Sequence, residues 1–370
     1  MNIICNRESF LDAVNLLTQI IPQKPQARPI LSNIICKTED DQLNLKATDL
    51  ELGLNLNIPI LKTYEEGEIL LPAYQLLGFL RESNTDEVKC EVLDKTAILT
   101  SGGFTCKLPV FSNESFPEVP ELNGDEAKLN TKTLLRLIKE VAFAMNKDKN
   151  RYSLNSLLLC LNNSTLETVA TDQIRLAYSK AEMDDDLGRE ETFIFPAKAI
   201  SVISTILADE EEDSVSLVCG KNQVTIKFSK GYFISRLVDA QFVNYRDAYK
   251  NFADVPDLEV DTKQITHAIR QVTLLTCENA KNIAVFLENN KMIFKANTPL
   301  GEAKVDVDTT YDREEMMIGM NPLYVQDFLK EINNEGVDKV RIKIAGPKKP
   351  VILSPNDNYL YFMSPTSLNN

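Results

Sequence analysis

The sequence has little of what most catalytic sites need. His267 is the single histidine among 370 residues, so neither a Ser/His/Asp triad nor a zinc site is expected. No GxxxxGK[ST] or GxGxxG pattern occurs. The 13 glycines are few, since ~7% of residues would be usual. We therefore predict that the chain is not an enzyme and holds neither a metal nor a cofactor.

Cysteine pairs and long apolar runs are also missing. The seven cysteines are scattered without a CxxC pair, and most lie in apolar strand-like runs, so we interpret them as buried, reduced thiols. No apolar run approaches the ~20 residues of a membrane helix. The first residues lack the basic start and apolar core of a signal peptide. The sequence therefore predicts a cytoplasmic protein that makes no membrane contact.

Composition and charge limit the class of protein. Apolar residues make up 44% and charged residues 25%, both ordinary for a globular protein, and 370 residues fit two or three domains. The net charge of −14 argues against simple electrostatic attraction to nucleic acid. A local basic surface is still compatible with it, so the distribution of the cations matters more than their sum.

One phrase recurs along the chain. ATDLELGLNLN begins at residue 47 and ATDQIRLAYSK at residue 170, 123 residues later, and we interpret ANTPLGEAKVD (296–306) as a third, diverged copy. A period of this length is too long for a solenoid repeat, whose units have ~20–50 residues. It fits three tandem domains of ordinary size.

Other landmarks recur at similar intervals. Each round reads as an amphipathic helix, strands, a second helix and a strand meander, and Pro72, Pro196 and Asn321 take matching places before the second helix. Joins that contain proline and acidic residues separate the rounds at 116–127 and 252–259. The prediction is an α+β protein of three tandem repeated domains, 1–124, 125–254 and 255–370, each with two helices and antiparallel sheets.

Cations follow one face of the first helix in the second and third rounds. They repeat at the spacing i, i+4, i+7, opposite the apolar face. The two sets are Lys132, Arg136 and Lys139, and Lys263, His267 and Arg270. Such stripes could be solvated faces, or they could follow a phosphate backbone without reading bases. Aromatic residues for base stacking are missing from them, which favours duplex DNA over a single strand.

The stripe has no counterpart in the first round, where Glu8, Asp12 and Asn15 stand at the matching positions. Further candidates for DNA contact lie outside the stripes. They are Lys24, Lys147, Lys149, Arg151, Tyr152 and Lys198.

Two repeated carboxylates offer an alternative function. Asp49 and Asp172 occupy the same place in the two clear copies of the phrase, and together they could hold the metal of a metal-dependent enzyme. The plainer interpretation is that each side chain caps a turn beside its strand.

The order of these landmarks resembles a known family over the whole chain. The stretches that carry the resemblance are FAMNKDKNRYSLN (143–155), ATDQIRLAYSK (170–180), FISRLVDAQFVNYRDAY (233–249) and YLYFMSP (359–365). Together they look like the bacterial DNA sliding clamp, the β subunit of the replicative polymerase holoenzyme. The resemblance implies a head-to-tail homodimer closed into a ring around double-stranded DNA, with helices lining the hole.

The resemblance also implies a hydrophobic pocket for short linear motifs of the replicative polymerase, the clamp loader and repair proteins. Its residues would be Leu154, Thr171, Ile174, Arg175, Leu176, Val243, Phe362, Met363, Ser364 and Pro365. The chain departs from the family pattern at Gln173–Ile174, at Val243 and around Pro365, so its preferred peptide is expected to differ.

The ring needs a joint between two copies. The resemblance places it at Leu274 and Leu275 of one copy and at Lys107 and Leu108 of the other. The leucines could equally be buried within one chain. A monomeric three-domain scaffold that binds peptides is therefore a further alternative.

Overall fold

The computed structural model describes residues 1–22, 28–112, 115–119, 124–148, 150–151, 153–183, 188, 190–250, 252, 254–276 and 281–367, with the backbone alone at 249–250. Within these residues there are seven α-helices and twenty-four strands. The helices are α1 (Arg7–Thr18), α2 (Ala73–Glu82), α3 (Thr131–Ala142), α4 (Ala197–Asp209), α5 (Arg246–Lys250), α6 (Thr262–Thr273) and α7 (Pro322–Asn334). The first strands are β1 (Asn2–Asn6), β2 (Asn33–Glu39), β3 (Gln42–Thr48), β4 (Leu52–Glu65), β5 (Glu68–Pro72), β6 (Glu87–Leu93), β7 (Thr96–Ser101) and β8 (Phe104–Pro109).

The later strands repeat this pattern. They are β9 (Glu126–Asn130), β10 (Ser156–Asn162), β11 (Thr165–Thr171), β12 (Arg175–Glu182), β13 (Glu190–Pro196), β14 (Ser214–Cys219), β15 (Gln223–Phe228) and β16 (Gly231–Arg236) in the second round. The third round has β17 (Leu258–Asp261), β18 (Ile283–Glu288), β19 (Lys291–Thr298), β20 (Gly301–Asp308), β21 (Met316–Met320), β22 (Lys339–Ile344), β23 (Val351–Asn356) and β24 (Tyr359–Met363).

The order of elements confirms the threefold repeat. Each round has a first strand, a helix, a group of four strands, a second helix and a three-strand meander, and the second round adds the short α5. The second helix begins directly after Pro72, after Pro196 and after Asn321. Asn321 caps α7 by accepting a hydrogen bond from the Leu323 amide at 3.0 Å. Proline and asparagine can replace each other at this position, because each readily adopts the extended backbone conformation of the residue before a helix.

The chain forms two compact units whose border does not follow the repeat. One unit contains 1–135 and 198–237, and the other contains 136–197 and 238–370. The first holds a twelve-stranded sheet, and the second holds an eight-stranded and a four-stranded sheet. Each unit thus mixes parts of two sequence repeats, and the boundaries 1–124, 125–254 and 255–370 stay a prediction.

Antiparallel strand pairs join neighbouring repeats into common sheets. In the first unit β4 pairs with β16, and Leu56 lies opposite Gly231. In the second unit β12 pairs with β24, and Ser179 lies opposite Tyr359. At both joints the strand that follows the repeated phrase meets the last strand of the next repeat. The joint is therefore itself a repeated structure.

At the first joint, two positions leave no room for a side chain. A Cβ at Gly231 would lie 2.0 Å from the carbonyl oxygen of Asn55, and the φ of Gly231 is +151°. A Cβ at Gly53 would lie 2.6 Å from Cγ1 of Val119, in the join after the first repeat. Tyr232 fixes that join by donating a hydrogen bond to the Val119 carbonyl at 3.1 Å. Glycine is needed at both positions because backbone or linker lies directly against the strand.

The repeated phrase folds into the same turn twice. Thr48 donates to the Leu52 carbonyl (2.7 Å) and accepts from the Leu50 amide (3.0 Å). Thr171 makes the equivalent bonds to Arg175 (2.6 Å) and Gln173 (3.0 Å). In the third copy Thr298 stands at the place of Asp49 and Asp172, and its hydroxyl accepts from the Leu300 amide at 3.2 Å, as each aspartate accepts from the amide two residues on. This shared hydrogen bond supports the assignment of the diverged copy.

The two repeated aspartates act as caps inside these turns. Oδ1 of Asp49 accepts from the Glu51 and Leu52 amides at 2.9 and 2.7 Å. Oδ1 of Asp172 accepts from the Ile174 and Arg175 amides, both at 2.9 Å. No group of three or more metal-ligating side chains occurs among the described residues. The capping interpretation accounts for both carboxylates, and a metal-dependent enzyme is not favoured.

Buried thiols fit the interpretation of the cysteines. Cys5, Cys36, Cys90 and Cys160 are buried, whereas Cys106 and Cys219 are half-buried, and Cys277 lies outside the described residues. Burial raises the pKa of Cys5 and Cys90 to about 12 and that of Cys160 to about 11. These thiols stay protonated at neutral pH, so they are poor nucleophiles and poor metal ligands.

A buried carboxylate connects α3 with the strand and helix beside it. Glu140 is 2% exposed, accepts from Arg136 Nη1 at 2.8 Å and accepts a further bond from the Ser179 hydroxyl. Glu335, which ends α7, hydrogen bonds to it. Burial, followed by the Glu140 charge, raises the pKa of Glu335 to about 7, and Glu331 contributes in the same direction. Glu335 therefore keeps its proton in a sizeable fraction of the molecules at neutral pH.

We predict that Glu335 makes the folding stability fall as the pH rises. The folded-state pKa is about 7 against an ordinary 4.5, so the folded chain binds this proton more tightly than the unfolded chain. The resulting stability is present below pH 4.5 and is lost as the pH rises through 7. Glu335→Gln cannot ionise, so its Tm should exceed that of the wild type by a few degrees at pH 8 but not at pH 4.5.

The control for this melting experiment is Glu211→Gln, because Glu211 is exposed, as Glu335 is, but does not contact Glu140. Its Tm difference from the wild type should be the same at both pH values. A Glu335→Gln difference that is equally independent of pH would contradict the raised pKa of Glu335.

Candidate functional site

The stripe on α3 is exposed as the sequence predicts. Lys132, Arg136 and Lys139 are exposed, whereas Leu134, Ile138 and Val141 on the other face are buried. Arg136 differs from its two neighbours, because Glu140 beneath it compensates its charge. Lys132 and Lys139 form no ion pair with a described residue, whereas the ion pair with Glu140 fixes the orientation of the Arg136 side chain.

The stripe on α6 has the same arrangement. Lys263, His267 and Arg270 are exposed, and Ile265, Ile269 and Val272 are buried behind them. Asp261 caps the helix by accepting from the Gln264 amide at 2.8 Å. Among the described residues, no ion pair involves a cation of this stripe. The α6 stripe therefore presents uncompensated charge on a fixed helix.

The other candidates for DNA contact differ in availability. Lys147 and Arg151 are exposed near the end of α3, in a loop closed by the bond of the Asn146 amide to the Leu154 carbonyl (2.9 Å). Lys198 donates to the Ile20 carbonyl at 2.6 Å and pairs with Asp49 at 2.5 Å, so its charge is already used. Lys24, Lys149 and Tyr152 lie outside the described residues.

One cation that the sequence analysis missed lies on the second helix of the third repeat. Lys330 of α7 is exposed, and it lines a groove together with Arg270 of α6. The signal was available, because the second helix of each repeat could have been searched for cations in the same way as the first.

Arg175 is a structural centre and not a surface group. It is 5% exposed, and its guanidinium contacts Asp172 at 3.0 Å and Asp327 at 2.5 Å. It also donates to the Phe143 carbonyl at 2.9 Å and lies 4.5 Å from the centre of the Tyr324 ring. A buried arginine whose hydrogen bonds are satisfied fixes the surrounding elements, and its removal would leave two carboxylates without their partner.

The pocket residues implied by the resemblance divide into a buried and an exposed group. Leu154, Thr171, Arg175, Phe362 and Met363 are buried, whereas Leu176, Ser364 and Pro365 are half-buried. Ile174 and Val243 are exposed to 47% and 37%. The Ser364 amide donates to the Ile174 carbonyl at 2.9 Å, which brings the end of β24 beside the repeated turn. The exposed apolar pair is what a ligand could reach directly.

A pocket of about 410 Å³ opens on the face of the sheet formed by β12 and β24. Its floor contains two of the implied residues, Leu176 and Phe362, which lie opposite each other in the strand register. The remaining lining residues were missed by the sequence analysis. They are Tyr178, Lys180, Tyr245, Arg246, Asp357 and Leu360.

A buried carboxylate holds the wall of this pocket in place. Glu167 accepts from the Tyr245 hydroxyl at 2.7 Å and from Arg246 Nη2 at 3.4 Å. Tyr178 stacks on Tyr245 with ring centres 5.8 Å apart. Burial, followed by the Glu167 charge for Tyr178 and by Cys160 and Glu167 for Tyr245, raises the pKa of both phenols. Both rings are thus neutral, fixed walls.

The wall exists because the join after the second repeat is longer than the first. FPEVPEL (116–122) and FADVPDL (252–258) end the two joins with nearly the same sequence. Before that shared end, the first join has six residues after its last strand, 110–115, and the second has fifteen, 237–251. The extra nine residues correspond to the segment that contains α5 and supplies Tyr245 and Arg246.

The four residues of the implied joint are not equally exposed. Leu274 is 80% exposed and Lys107 is exposed, whereas Leu275 is half-buried and Leu108 is buried. Lys107 lies on β8, an end strand of the twelve-stranded sheet, and β20 is an end strand of the four-stranded sheet. The alternative that Leu274 is buried within one chain is wrong.

Membrane insertion through helices finds no support in the structure. Across the ranges given above, no helix is both long and apolar enough to span a bilayer.

Comparisons with known proteins cover nearly the entire chain. Residues 1–120 match the N-terminal domain of the DNA polymerase III beta subunit, residues 128–244 its central domain and residues 254–363 its C-terminal domain. The beta sliding clamp of Pseudomonas aeruginosa is 29% identical over 374 residues, and that of Chlamydia pneumoniae is 26% identical over 373; each alignment covers all of this chain and 99–100% of the relative.

Solved structures agree with this assignment. The sliding clamp of Pseudomonas aeruginosa bound to griselimycin has a TM-score of 0.92 at 28% identity, with all of both chains covered. The DNA polymerase III beta subunit of Thermotoga maritima, at 20% identity and a TM-score of 0.91, shares the fold. With three consecutive domain matches in the order that the repeat predicts, the chain belongs to the bacterial DNA polymerase III beta subunit family, the sliding clamps.

Proposed function

We propose that this protein is a processivity clamp, which encircles double-stranded DNA and tethers the replicative polymerase, the clamp loader and repair proteins to it. Family membership over the three repeats is the observation that carries the proposal. Such a protein acts by topology and has no chemical step, which agrees with the use of Asp49 and Asp172 as turn caps. The place of action would be the cytoplasm, where bacterial DNA is replicated.

The repeated joint supports a head-to-tail dimer. At the two joints within the chain, β4 pairs with the last strand of the second repeat and β12 with the last strand of the third. The equivalent strand of the third repeat is β20, an end strand that pairs with β19 and with no other strand among the described residues. The last strand of the first repeat, β8, is also an end strand. Pairing β20 with β8 of a second copy would complete the series and close a ring of two chains.

Internal equivalence also gives the register of this joint. In their hairpins Ala47, Ala170 and Ala296 lie opposite Leu54, Ala177 and Ala303. Two residues beyond Leu54 and Ala177, the partners are Gly231 and Tyr359, the first residues of their strands. The same count places Val305 opposite Phe104 of the second copy. It follows that Ala303 would lie opposite Cys106, and Gly301 opposite Leu108, with Leu274 packed nearby.

We predict that Ala303→Cys cross-links two copies through the natural Cys106. Mild oxidation should give a covalent dimer in most molecules, because directly opposed residues of an antiparallel pair have Cβ atoms about 4.5–5.5 Å apart. Glu302→Cys is the control, since its side chain would leave the other face of the sheet. Non-reducing gels measure the product, and equal cross-linking of both variants would contradict the register.

Retention on DNA tests the ring itself. Because the attachment is topological, we predict that the clamp loaded on nicked circular DNA stays bound for much longer than the assay, and that linearising the circle releases it. Gel filtration of the labelled clamp with the DNA before and after cutting provides the measurement. Equal retention on both forms would show that no ring surrounds the duplex.

The exposed stripes would face the DNA. Lys132, Lys139 and Arg270 are exposed and form no ion pair with a described residue, in a chain of net charge −14. Contacts with phosphates alone suit a clamp, because they do not depend on the base sequence and break readily. Arg136 would orient a contact, and its substitution would leave the buried Glu140 unpaired.

We therefore predict the effect of changing Lys132, Lys139 and Arg270 together to glutamate. Processive synthesis should fall several-fold and become more sensitive to salt, while sedimentation still reports a dimer. The control changes Lys221, Lys348 and Lys349 to glutamate, which alters the net charge equally at exposed positions off the stripes. A control that is as defective as the stripe variant would mean that net charge, and not the stripe, matters.

A further inference from the structure

The pocket on the β12–β24 sheet has a charged end that the implied peptide site does not explain. Leu176, Tyr178 and Lys180 alternate along β12 and therefore share one face of the sheet. Phe362 and Leu360 lie opposite Leu176 and Tyr178 on β24. The face thus changes along β12 from apolar, through aromatic, to cationic.

Among the charged residues that line this end, one has no charged partner within the described part of the chain. Arg246 is compensated by Glu167 at 3.4 Å, and Asp357 is paired with Arg341 at 2.7 Å. Lys180 is half-buried in the pocket wall, and its side chain makes no ion pair or hydrogen bond with any residue that the structure describes. A half-buried ammonium is less screened than one in open solvent. It would gain more from a carboxylate brought by a ligand than an exposed lysine would.

Resting on the proposed peptide-tethering function, we propose that this pocket selects partner peptides that carry an acidic residue two positions from their apolar anchor. The anchor packs on Leu176, Leu360 and Phe362 beside the stacked tyrosines. The acidic side chain reaches Lys180. The charge of Lys180 favours an acidic peptide over a neutral or basic one.

Strand geometry sets the spacing of the two peptide residues. Tyr178 and Lys180 are two residues apart on a strand, which is about 6.6–6.8 Å. An extended peptide that lies along β12 has the same repeat, so side chains two positions apart point to the same face. An anchor between Leu176 and Tyr178 therefore places the side chain two positions away between Tyr178 and Lys180, within reach of the lysine side chain. Adjacent residues would point away from the sheet.

Selection from a random displayed-peptide library tests the specificity without a known ligand. The full-length dimer is the target, as wild type and as Lys180→Glu. We expect Asp or Glu to be enriched two positions from an aromatic or aliphatic anchor on the wild type, and Lys or Arg at that position on Lys180→Glu. Lys348→Glu is the matched control, because Lys348 is an exposed cation in the turn between β22 and β23, and it should select as the wild type does.

Binding of one selected peptide gives the size of the effect. Replacing its acidic residue by the amide should weaken binding about 2- to 5-fold on the wild type, as a partly exposed ion pair would. The same replacement should have no effect on Lys180→Met, in which the lysine charge is absent. An equal loss on both proteins would overturn the proposal.

A second pair of variants separates this proposal from the proposed function. Ile174→Asn with Val243→Asn removes the exposed apolar pair without disturbing the core. If selected peptides need this pair but show no acidic preference, the site tethers peptides and the role of Lys180 is wrong. If they need neither the apolar pair nor Lys180, the peptide-tethering function fails as well.

Discussion

Strand pairing between repeats is the constraint on which the rest of the structure depends. A repeat ends with an open strand, and its amide and carbonyl groups need partners from the next repeat. The pairs β4·β16 and β12·β24 provide these partners. The first pair needs glycine at position 231, because a Cβ there would lie 2.0 Å from a carbonyl oxygen of β4. Among the described strands, β8 and β20 are the end strands that correspond to these joints. The proposed ring pairs the two with each other.

The repeat could be predicted from the sequence because its signals are local. The phrase at 47 and 170 forms one turn in both places, with Leu50 and Gln173 at φ +79° and +78°, and the stripe residues are exposed at helical spacing. The charge partners could not be predicted. Lys198 meets Asp49, 149 positions away, and Arg175 meets Asp327, 152 positions away. Such pairs depend on packing between elements, which the periodicity of one helix or strand does not report.

The same limit explains why the pocket was only partly predicted. Resemblance led to Leu176 and Phe362, and strand alternation alone would have added Tyr178 and Lys180 to the same face. Tyr245 and Arg246 are different, because they reach the sheet through the buried Glu167. A carboxylate inside a strand gives no sign in the sequence of what it will bind. The cations of the candidate site therefore need to be sorted by their partners before they are assigned to a ligand.

The longer second join has a consequence for how such clamps diversify. The β4·β16 and β12·β24 seams are built alike, yet the recess walled by Tyr245 and Arg246 lies beside the second, where nine additional residues precede the shared Phe-x-acid-Val-Pro ending. Inserting or trimming residues in a surface connection costs little stability compared with altering a sheet. If the proposed peptide pocket is used, its recognition could therefore change in that connection during evolution, while the strand pairs that join the repeats remain untouched.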